Sequence, residues 1–347
     1  MTEEKPLVSI LIPNYNHARY LIQCIDSAFS QTYSNVEVIL LDNGSSDDSL
    51  EIASKYIIKG LKINSNPMNL MNASYMVLTN ELCSGKYFIL LCADDYIAPD
   101  FIKKSVDIME KYPNIGYVHG ERDFVLEDGT ILACDPFYKC SFIAPGKNTM
   151  PVYMITPVAH PAQGVIRVEA FRKMGGYDME INHLNADRSM WFYLSYYYDM
   201  AYIREKMSHI RISQQTETVI TQTNFQHPVL CHLTILDYFY FAKEKNLPEV
   251  YNRKAEALER LSNEFLEYAI GMLYVGDIDL AKAYIQYSYI INRDIVTMDK
   301  YIRLMKMCET KIIDKQYIDN SVNGKYLHKR GYEPPKGYEE IFGGRCL

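Results

Sequence analysis

The sequence predicts an α/β protein, a Rossmann-like sheet followed by an α-helical C-terminal extension, and three features lead to this reading. Two nearly unbroken apolar, β-branched runs, LVSILIP from residue 7 and VEVILLD from residue 36, read as strands buried on both faces. Each is followed by a segment whose apolar residues recur at helical spacing, the strand-helix alternation of a parallel sheet covered on both sides. Beyond about residue 225 the chain becomes rich in Leu, Ala, Glu, Lys and Tyr with few prolines, a pattern that favours long helices. The expected organisation is therefore a first domain over 1–225 and a helical region over 226–347.

Taken in order, the first strand stops at Pro13 and Asn14, and YLIQCIDSAFSQT then carries a helical face. The second strand ends at Asp42. The following NGSSDDSLEIASKYI offers Asp47 or Asp48 as the cap of a second helix. LKIN (61–64) reads as a short third strand, 69–83 as a helix and YFILLC (87–92) as a further buried strand. Residues 115–165 are less regular, with strands expected at IGYVHGE and DGTILAC. A helix is expected over 168–174, a turn at GGYD (175–178) and another helix from near Asp187. AIGMLYVGDIDLAKAYIQYSYIIN reads as two antiparallel helices joined at Gly276-Asp277, with no repeat period around them. The tail, with Pro334, Pro335, Gly343 and Gly344, is expected to be irregular.

Composition excludes some functions. A formal net charge of -7 argues against broad binding to nucleic acid, which depends on clustered Lys and Arg. The start MTEEKP has no basic, apolar leader pattern, and no apolar run approaches the roughly 18 residues of a membrane span. A cytoplasmic location is expected. The 8 cysteines form no C-x-x-C pair and read as reduced, mostly apolar residues. The 30 tyrosines suit amphipathic packing, and also surfaces that meet sugars, partners or membrane interfaces.

The stretch LLCADDYIAPDF places Asp94 and Asp95 side by side at the end of an apolar strand. Adjacent like charges there call for a cation or for water, although Asp-Asp before an aromatic and a Pro is also ordinary turn chemistry. Asn14 to Asn16, Asp42 to Ser45 and Asp94-Asp95 all follow strand ends. Three strands thus deliver polar groups to one rim, the side on which open α/β sheets bind ligands.

The opening VSILIPNYNHARYLIQCIDSAFSQTYSNVEVILLDNGSSDDS, then LLCADDYIAPDF and GGYDMEINHLNADRSMWFYLSYY, resemble in order and spacing the motifs of inverting family 2 glycosyltransferases with the GT-A fold, of the bacterial surface-polysaccharide type. The resemblance covers about two thirds of the chain. It implies a nucleotide diphosphate sugar donor, expected to be UDP-linked, and a glycan or lipid-linked glycan acceptor whose hydroxyl is activated by Asp187. It further implies that Asp95 holds Mn²⁺ or Mg²⁺, that Asp94 acts through ribose or water, and that Asp42 meets the nucleobase with help from Pro13, Tyr15 and Asn16. Arg211 falls where the family has a cation near the diphosphate, and His160 and His183 fall where it positions the acceptor. Asp42 and Asp187 can equally serve as a loop cap and a helix N-cap.

The chain departs from the family pattern in several places. Cys92 stands for the first carboxylate of Asp-x-Asp-Asp, Asn43 for the second Asp of Asp-Asp-Gly-Ser, and Met76-Val77 for a usual Arg-Asn. Ala186 replaces the Glu before the catalytic Asp, and Ser213 replaces the His of Arg-x-His. These departures motivate the alternative of a degenerate, non-catalytic binding or scaffold protein. A nucleotidyltransferase would need a Gly-rich basic loop after the first strand, where PNYNHARY has no Gly, and no G-x-G-x-x-G supports a dinucleotide enzyme. For the helical region, packing on the transferase domain, covering of the acceptor site, a homodimer and peripheral contact with the inner face of the cell membrane are all open.

Overall fold

The structure, a computed structural model, describes residues 5–67, 82–156, 158–176, 186–212, 223, 225–323 and 331–342. Residues 69–81 of the expected helix over 69–83, with Met76 and Val77, and His183, Ser213 and the end of GGYD lie outside the described residues. The chain divides into two compact units, one of Met1–Met150, Pro157–Ser213 and Arg330–Leu347, the other of Pro151–Thr156 and Gln214–Lys329.

The first unit is built on one mixed sheet. Its parallel part comprises β1 (Val8–Asn14), β2 (Val36–Asp42), β3 (Lys62–Ser65) and β4 (Tyr87–Leu90), with β1 between β2 and β4 and β3 beyond β2. Of the first strand, Val8, Ile10, Leu11 and Ile12 are fully buried, as its unbroken apolar pattern requires. Helix α1 (Ala18–Phe29) buries Leu21, Cys24, Ile25 and Ala28, one face at helical spacing. The short helix α2 (Ser49–Ser54) follows β2. Its first N–H groups are not capped by Asp48. Asp47 instead accepts from the Ser49 N–H at 3.0 Å and, with its other oxygen, from the Ala18 N–H at 2.9 Å. One carboxylate therefore serves the starts of both helices.

Beyond β4 the sheet continues with short β5 (Tyr96–Ile97), helix α3 (Phe101–Lys111), the long β6 (Ile115–Val125), β7 (Ile131–Leu132) and β8 (Phe142–Ala144). Helix α4 (Gly146–Ile155), strand β9 (Gly164–Arg167), helices α5 (Val168–Lys173) and α6 (Ala186–Tyr197) and strand β10 (Asp199–Arg211) follow. Strand β9 lies antiparallel between β4 and β6, and β10 runs parallel to β6. The sheet is thus mixed where the sequence predicts a parallel one. The expected strand at 128–134 is only two residues long, and β8, β9 and β10 carry no clear sequence signal. The tail is not irregular throughout. Glu339–Glu340 form β11, antiparallel to β8, so the end of the chain returns to the sheet of the first unit.

The second unit is helical, with α7 (Gln226–Glu244), α8 (Pro248–Tyr251), α9 (Lys254–Val275), α10 (Ile278–Ile291), α11 (Asp299–Thr310) and α12 (Lys315–Asn323). Between α9 and α10, Gly276 adopts φ 87° and the Asp277 side chain accepts from the Leu280 N–H at 2.9 Å. The hairpin at Gly276-Asp277 is therefore a glycine C-cap followed directly by an N-cap. Tyr238 and Tyr284 are fully buried here, as are Tyr87, Tyr117, Tyr138 and Tyr202 in the first unit. Much of the tyrosine content is packing.

Candidate active site

Strand order reverses between β1 and β4, and the carboxyl ends of these strands and of β2 open on one rim. There Asn14 pairs in register with Asp42, and the Ala93 N–H donates to the Pro13 carbonyl at 3.2 Å. A reversal of this kind leaves a crevice that no crossover helix covers.

On one side of the rim Asp42, almost wholly buried, is enclosed by donors. Its Oδ1 accepts from Asn14 Nδ2 at 2.8 Å and Ser45 Oγ at 2.5 Å, its Oδ2 from the Ser45 N–H at 3.1 Å and Ser65 Oγ at 3.2 Å. These bonds shape the loop after β2. Asn16, at φ 57°, completes it by donating its N–H to Ser45 Oγ at 3.0 Å and accepting from the Ser46 N–H at 2.8 Å. Pro13 is partly buried, and Tyr15 beside it is exposed. The Tyr15 ring is thereby exposed at the strand ends, next to the buried Asn14 and Asp42.

On the other side the Asp95 N–H donates to the Cys92 carbonyl at 2.9 Å, closing a turn that buries Asp95 to 2% exposure. Its Oδ1 accepts the Arg211 N–H at 2.8 Å; its Oδ2 has no hydrogen-bond partner and lies 3.6 Å from His160 Nδ1. Burial, and then the charge of Asp94, push Asp95 well above the ordinary aspartate value, against the pull of the Arg211 N–H and the Arg211 and Arg122 charges. Asp94, partly buried, offers its carbonyl to Arg211 Nε at 3.0 Å. The guanidinium of Arg211 is spread over protein acceptors, with Nη1 on the Leu126 carbonyl at 3.2 Å and Nη2 on Gln23 Oε1 at 2.8 Å, and its plane lies over the Tyr20 ring.

His160 precedes a 3-10 turn, Pro161–Gln163, and is held by both ends of it. Its N–H donates to Gln163 Oε1 at 2.8 Å, its Nδ1 accepts from the Ala162 N–H at a long 3.4 Å, and Ser208 Oγ of β10 anchors the Ala162 carbonyl at 2.6 Å. Gln163 Oε1 also accepts from Arg122. Burial, and next the Arg122 charge, hold the His160 imidazole below its usual value. Asp187 lies in the first turn of α6, directly after the buried Ala186. Burial raises its carboxyl above the aspartate norm, and its charge is felt at Cys92. The expected residues Asp94, Asp95, Arg211 and His160 are therefore brought together, with Asp187 in electrostatic reach of Cys92. Arg122, Gln163, Gln23 and Tyr20 join them without having been singled out, since only the fold carries them to this rim.

The donor set fits a divalent cation. A buried carboxylate oxygen without a hydrogen-bond partner faces an imidazole nitrogen, and one ligand atom each of Cys92, Asp95 and His160 lies within 4.8 Å of the others. Carboxylate oxygen with imidazole nitrogen is compatible with Mn²⁺.

A mixed α/β sheet with acidic groups gathered at the strand ends of a switch point is the architecture of a GT-A-type fold. Residues 9–175 match the model of glycosyl transferase family 2, and the chain is similar in sequence to glycosyltransferases. An uncharacterised glycosyltransferase of Rickettsia prowazekii is 29% identical over 231 residues, 62% of this chain and 68% of the relative. Chondroitin synthase of Escherichia coli is 30% identical over 131 residues, 37% of this chain but 19% of that much longer protein. Among solved structures, S. aureus TarS 1-349 in complex with UDP-GlcNAc superposes with a TM-score of 0.56 at 17% identity, covering 93% of each chain. The mannosyltransferase PcManGT from Pyrobaculum calidifontis, in complex with GDP-Man and Mn²⁺, gives 0.51 at 12% identity, covering 94% of this chain and 89% of the other. At these identities the structural likeness shows the fold alone.

Proposed function

We propose that this glycosyltransferase moves a sugar, with inversion, from a UDP-linked donor to a hydroxyl of a glycan or lipid-linked glycan. The observation that carries the reading is Asp95, a carboxylate buried at the strand ends with one oxygen bound to β10 and the other without a hydrogen-bond partner. Such an oxygen is stable in this place when a cation or a ligand donor completes it. A UDP-GlcNAc complex of TarS and chondroitin synthase among the relatives support a UDP-sugar donor and a glycan acceptor.

In this reading Asp95 and His160 hold a divalent cation, Mn²⁺ or Mg²⁺, with Asp94 beside them. A cation held by these residues would supply charge neutralisation for a departing diphosphate. The loop from Pro13 to Asn16, set by Asp42, receives the nucleoside. Asp187 takes the proton of the acceptor hydroxyl as its oxygen bonds to the anomeric carbon and the bond to the diphosphate breaks. Its burial makes it a stronger base than an exposed aspartate. No helix among the described residues is long and apolar enough to cross a membrane, so a lipid-linked acceptor would be met at a membrane surface.

Calorimetric titration with UDP, GDP and their sugars, with and without Mn²⁺, tests this reading. Binding of a UDP compound that requires the metal and weakens at least about tenfold in Asp95→Ala is the expected result. Binding indifferent to both metal and Asp95→Ala, or of no nucleotide at all, would refute it.

A further inference from the structure

We propose that Cys92, Asp95 and His160 form a mixed sulfur, oxygen and nitrogen site that takes a thiophilic divalent cation, zinc foremost, in preference to manganese or magnesium. The inference deepens the reading of Asp95 as a cation-facing carboxylate and rests on it. One ligand atom of each residue lies within 4.8 Å of the other two, and Asp95 Oδ2, in a side chain 2% exposed, has no hydrogen-bond partner and stands 3.6 Å from His160 Nδ1. Cys92 is tied into the turn through its carbonyl, which accepts the Asp95 N–H at 2.9 Å and the Cys24 thiol at 3.5 Å. Its own thiol is left to the side on which the carboxylate and imidazole converge.

A thiolate, an imidazole and a carboxylate are a donor set for Zn²⁺, whereas Mg²⁺ and Mn²⁺ are better served by oxygen. Metal–ligand bonds of about 2.0–2.3 Å place tetrahedral ligand atoms roughly 3.3–3.8 Å apart. Asp95 Oδ2 and His160 Nδ1, at 3.6 Å, already meet this, and any closure on the Cys92 sulfur, within 4.8 Å of both partners, is at most about 1–1.5 Å. His160, whose side chain is 33% exposed, can make that adjustment by giving up its 3.4 Å contact with the Ala162 N–H. The two anionic ligands, with Asp94 beside them, set three negative charges against the two positive charges of Arg211 and Arg122, the latter hydrogen-bonded to Gln163. Binding releases the Cys92 thiol proton to solvent and leaves the fourth position for water or a phosphate oxygen. Zinc at this place competes with manganese for Asp95.

The test uses Co²⁺ as the spectroscopic substitute for zinc on the metal-stripped protein. The expected result is a near-ultraviolet thiolate-to-cobalt charge-transfer band that saturates at one equivalent, is displaced by Zn²⁺, and is lost in Cys92→Ser and in Asp95→Asn. In Cys92→Asp the preference for zinc over manganese falls at least about tenfold. Cobalt binding without the band, or a band that survives Cys92→Ser, overturns the site. Should that variant fail to fold, the wild-type protein decides by alkylation. Zinc must then slow modification of Cys92 at least about tenfold and leave Cys134 and Cys140, which are similarly part-exposed, unchanged; equal rates overturn the site. None of these readouts needs nucleotide or turnover. A protein that binds UDP only with Mn²⁺ yet gives no thiolate band refutes the zinc site and leaves the donor reading intact.

Discussion

The backbone N–H of Arg211 donates to Asp95 Oδ1 at 2.8 Å while its side chain donates to the Asp94 carbonyl at 3.0 Å. The last residue of β10 thus fixes both members of the acidic pair, and its remaining donors reach Leu126 and Gln23. Arg211 acts on the position of the carboxylates as well as on the local charge.

Arg211→Lys should therefore impair stability as well as binding. A lysine cannot reproduce three divergent hydrogen bonds from one planar group, and it leaves the part-buried carbonyls of Asp94 and Leu126 without their donors. We expect a loss of about 1–3 kcal/mol in denaturant unfolding, together with weaker metal-dependent nucleotide binding. Unchanged stability with weakened binding would instead place the guanidinium on the ligand alone.

Asp187→Asn should lower turnover by roughly 10²–10⁴-fold, the contribution of a general base, with the donor KM little altered. Burial raises the folded value of this carboxyl. The base works when ionised, so turnover should fall as pH drops through that raised value, above the ~3.9 of a free aspartate. A kcat profile at saturating substrates that stays flat down to about pH 4 would remove Asp187 from the role.

Glu37 carries a separate, structural dependence on pH. It accepts from Ser9 Oγ at 2.5 Å, Lys62 Nζ at 2.7 Å and the Ser84 N–H at 3.0 Å, joining β1, β2, β3 and the segment before β4. Burial alone would raise its carboxyl, but the bonds from Lys62, Ser9 and Ser84 and the Lys62 charge bring it below the glutamate norm. A carboxyl lowered on folding stabilises above its unfolded value, near 4.3, and loses that contribution as pH falls through the folded value. Glu37→Gln should destabilise at neutral pH by about 1–3 kcal/mol and flatten the stability profile on the acid side. An equally steep acid decline in the variant would show that other carboxyls control it.

Much of the sheet that positions the site was legible because β1 and β2 are buried on both faces and their apolar pattern is uninterrupted. The Gly276-Asp277 hairpin was legible because its turn chemistry is local. Strand β10 was not. Its middle, Arg204, Glu205 and Lys206, is charged, and it enters the sheet because β6 and β8 flank it and Glu205 meets Lys104 of α3 at 2.6 Å. The same limit applies at the site. Asp94 and Asp95 announce themselves as a pair, but the approach of His160, Arg122 and Gln163 is made by strands β6, β9 and β10, whose paired residues, such as His119 with Gly164 and Arg211 with Val125, are far apart in sequence. Sequence places His160 with the acceptor, whereas the fold sets it against Asp95.

Gly164 offers the last test, because the loop that carries His160 ends on it. A Cβ at this position would lie 2.2 Å from Trp191 Cη2, and Trp191 is buried with its Nε1 bound to the Ala159 carbonyl at 3.0 Å. The ring cannot retreat without breaking a bond to the segment that leads into His160. Gly164→Ala should therefore cost about 1–3 kcal/mol by overpacking and should also weaken metal binding through displacement of the 160–163 turn. Gly129 provides the comparison, with φ 88° and nothing within 4 Å of an added Cβ. Gly129→Ala meets only left-handed backbone strain, roughly 1–2 kcal/mol, and should leave metal binding unchanged. Unfolding curves and metal titrations of the two variants distinguish the effects, and metal binding lost in Gly129→Ala but kept in Gly164→Ala would contradict the coupling of Trp191 to the His160 turn.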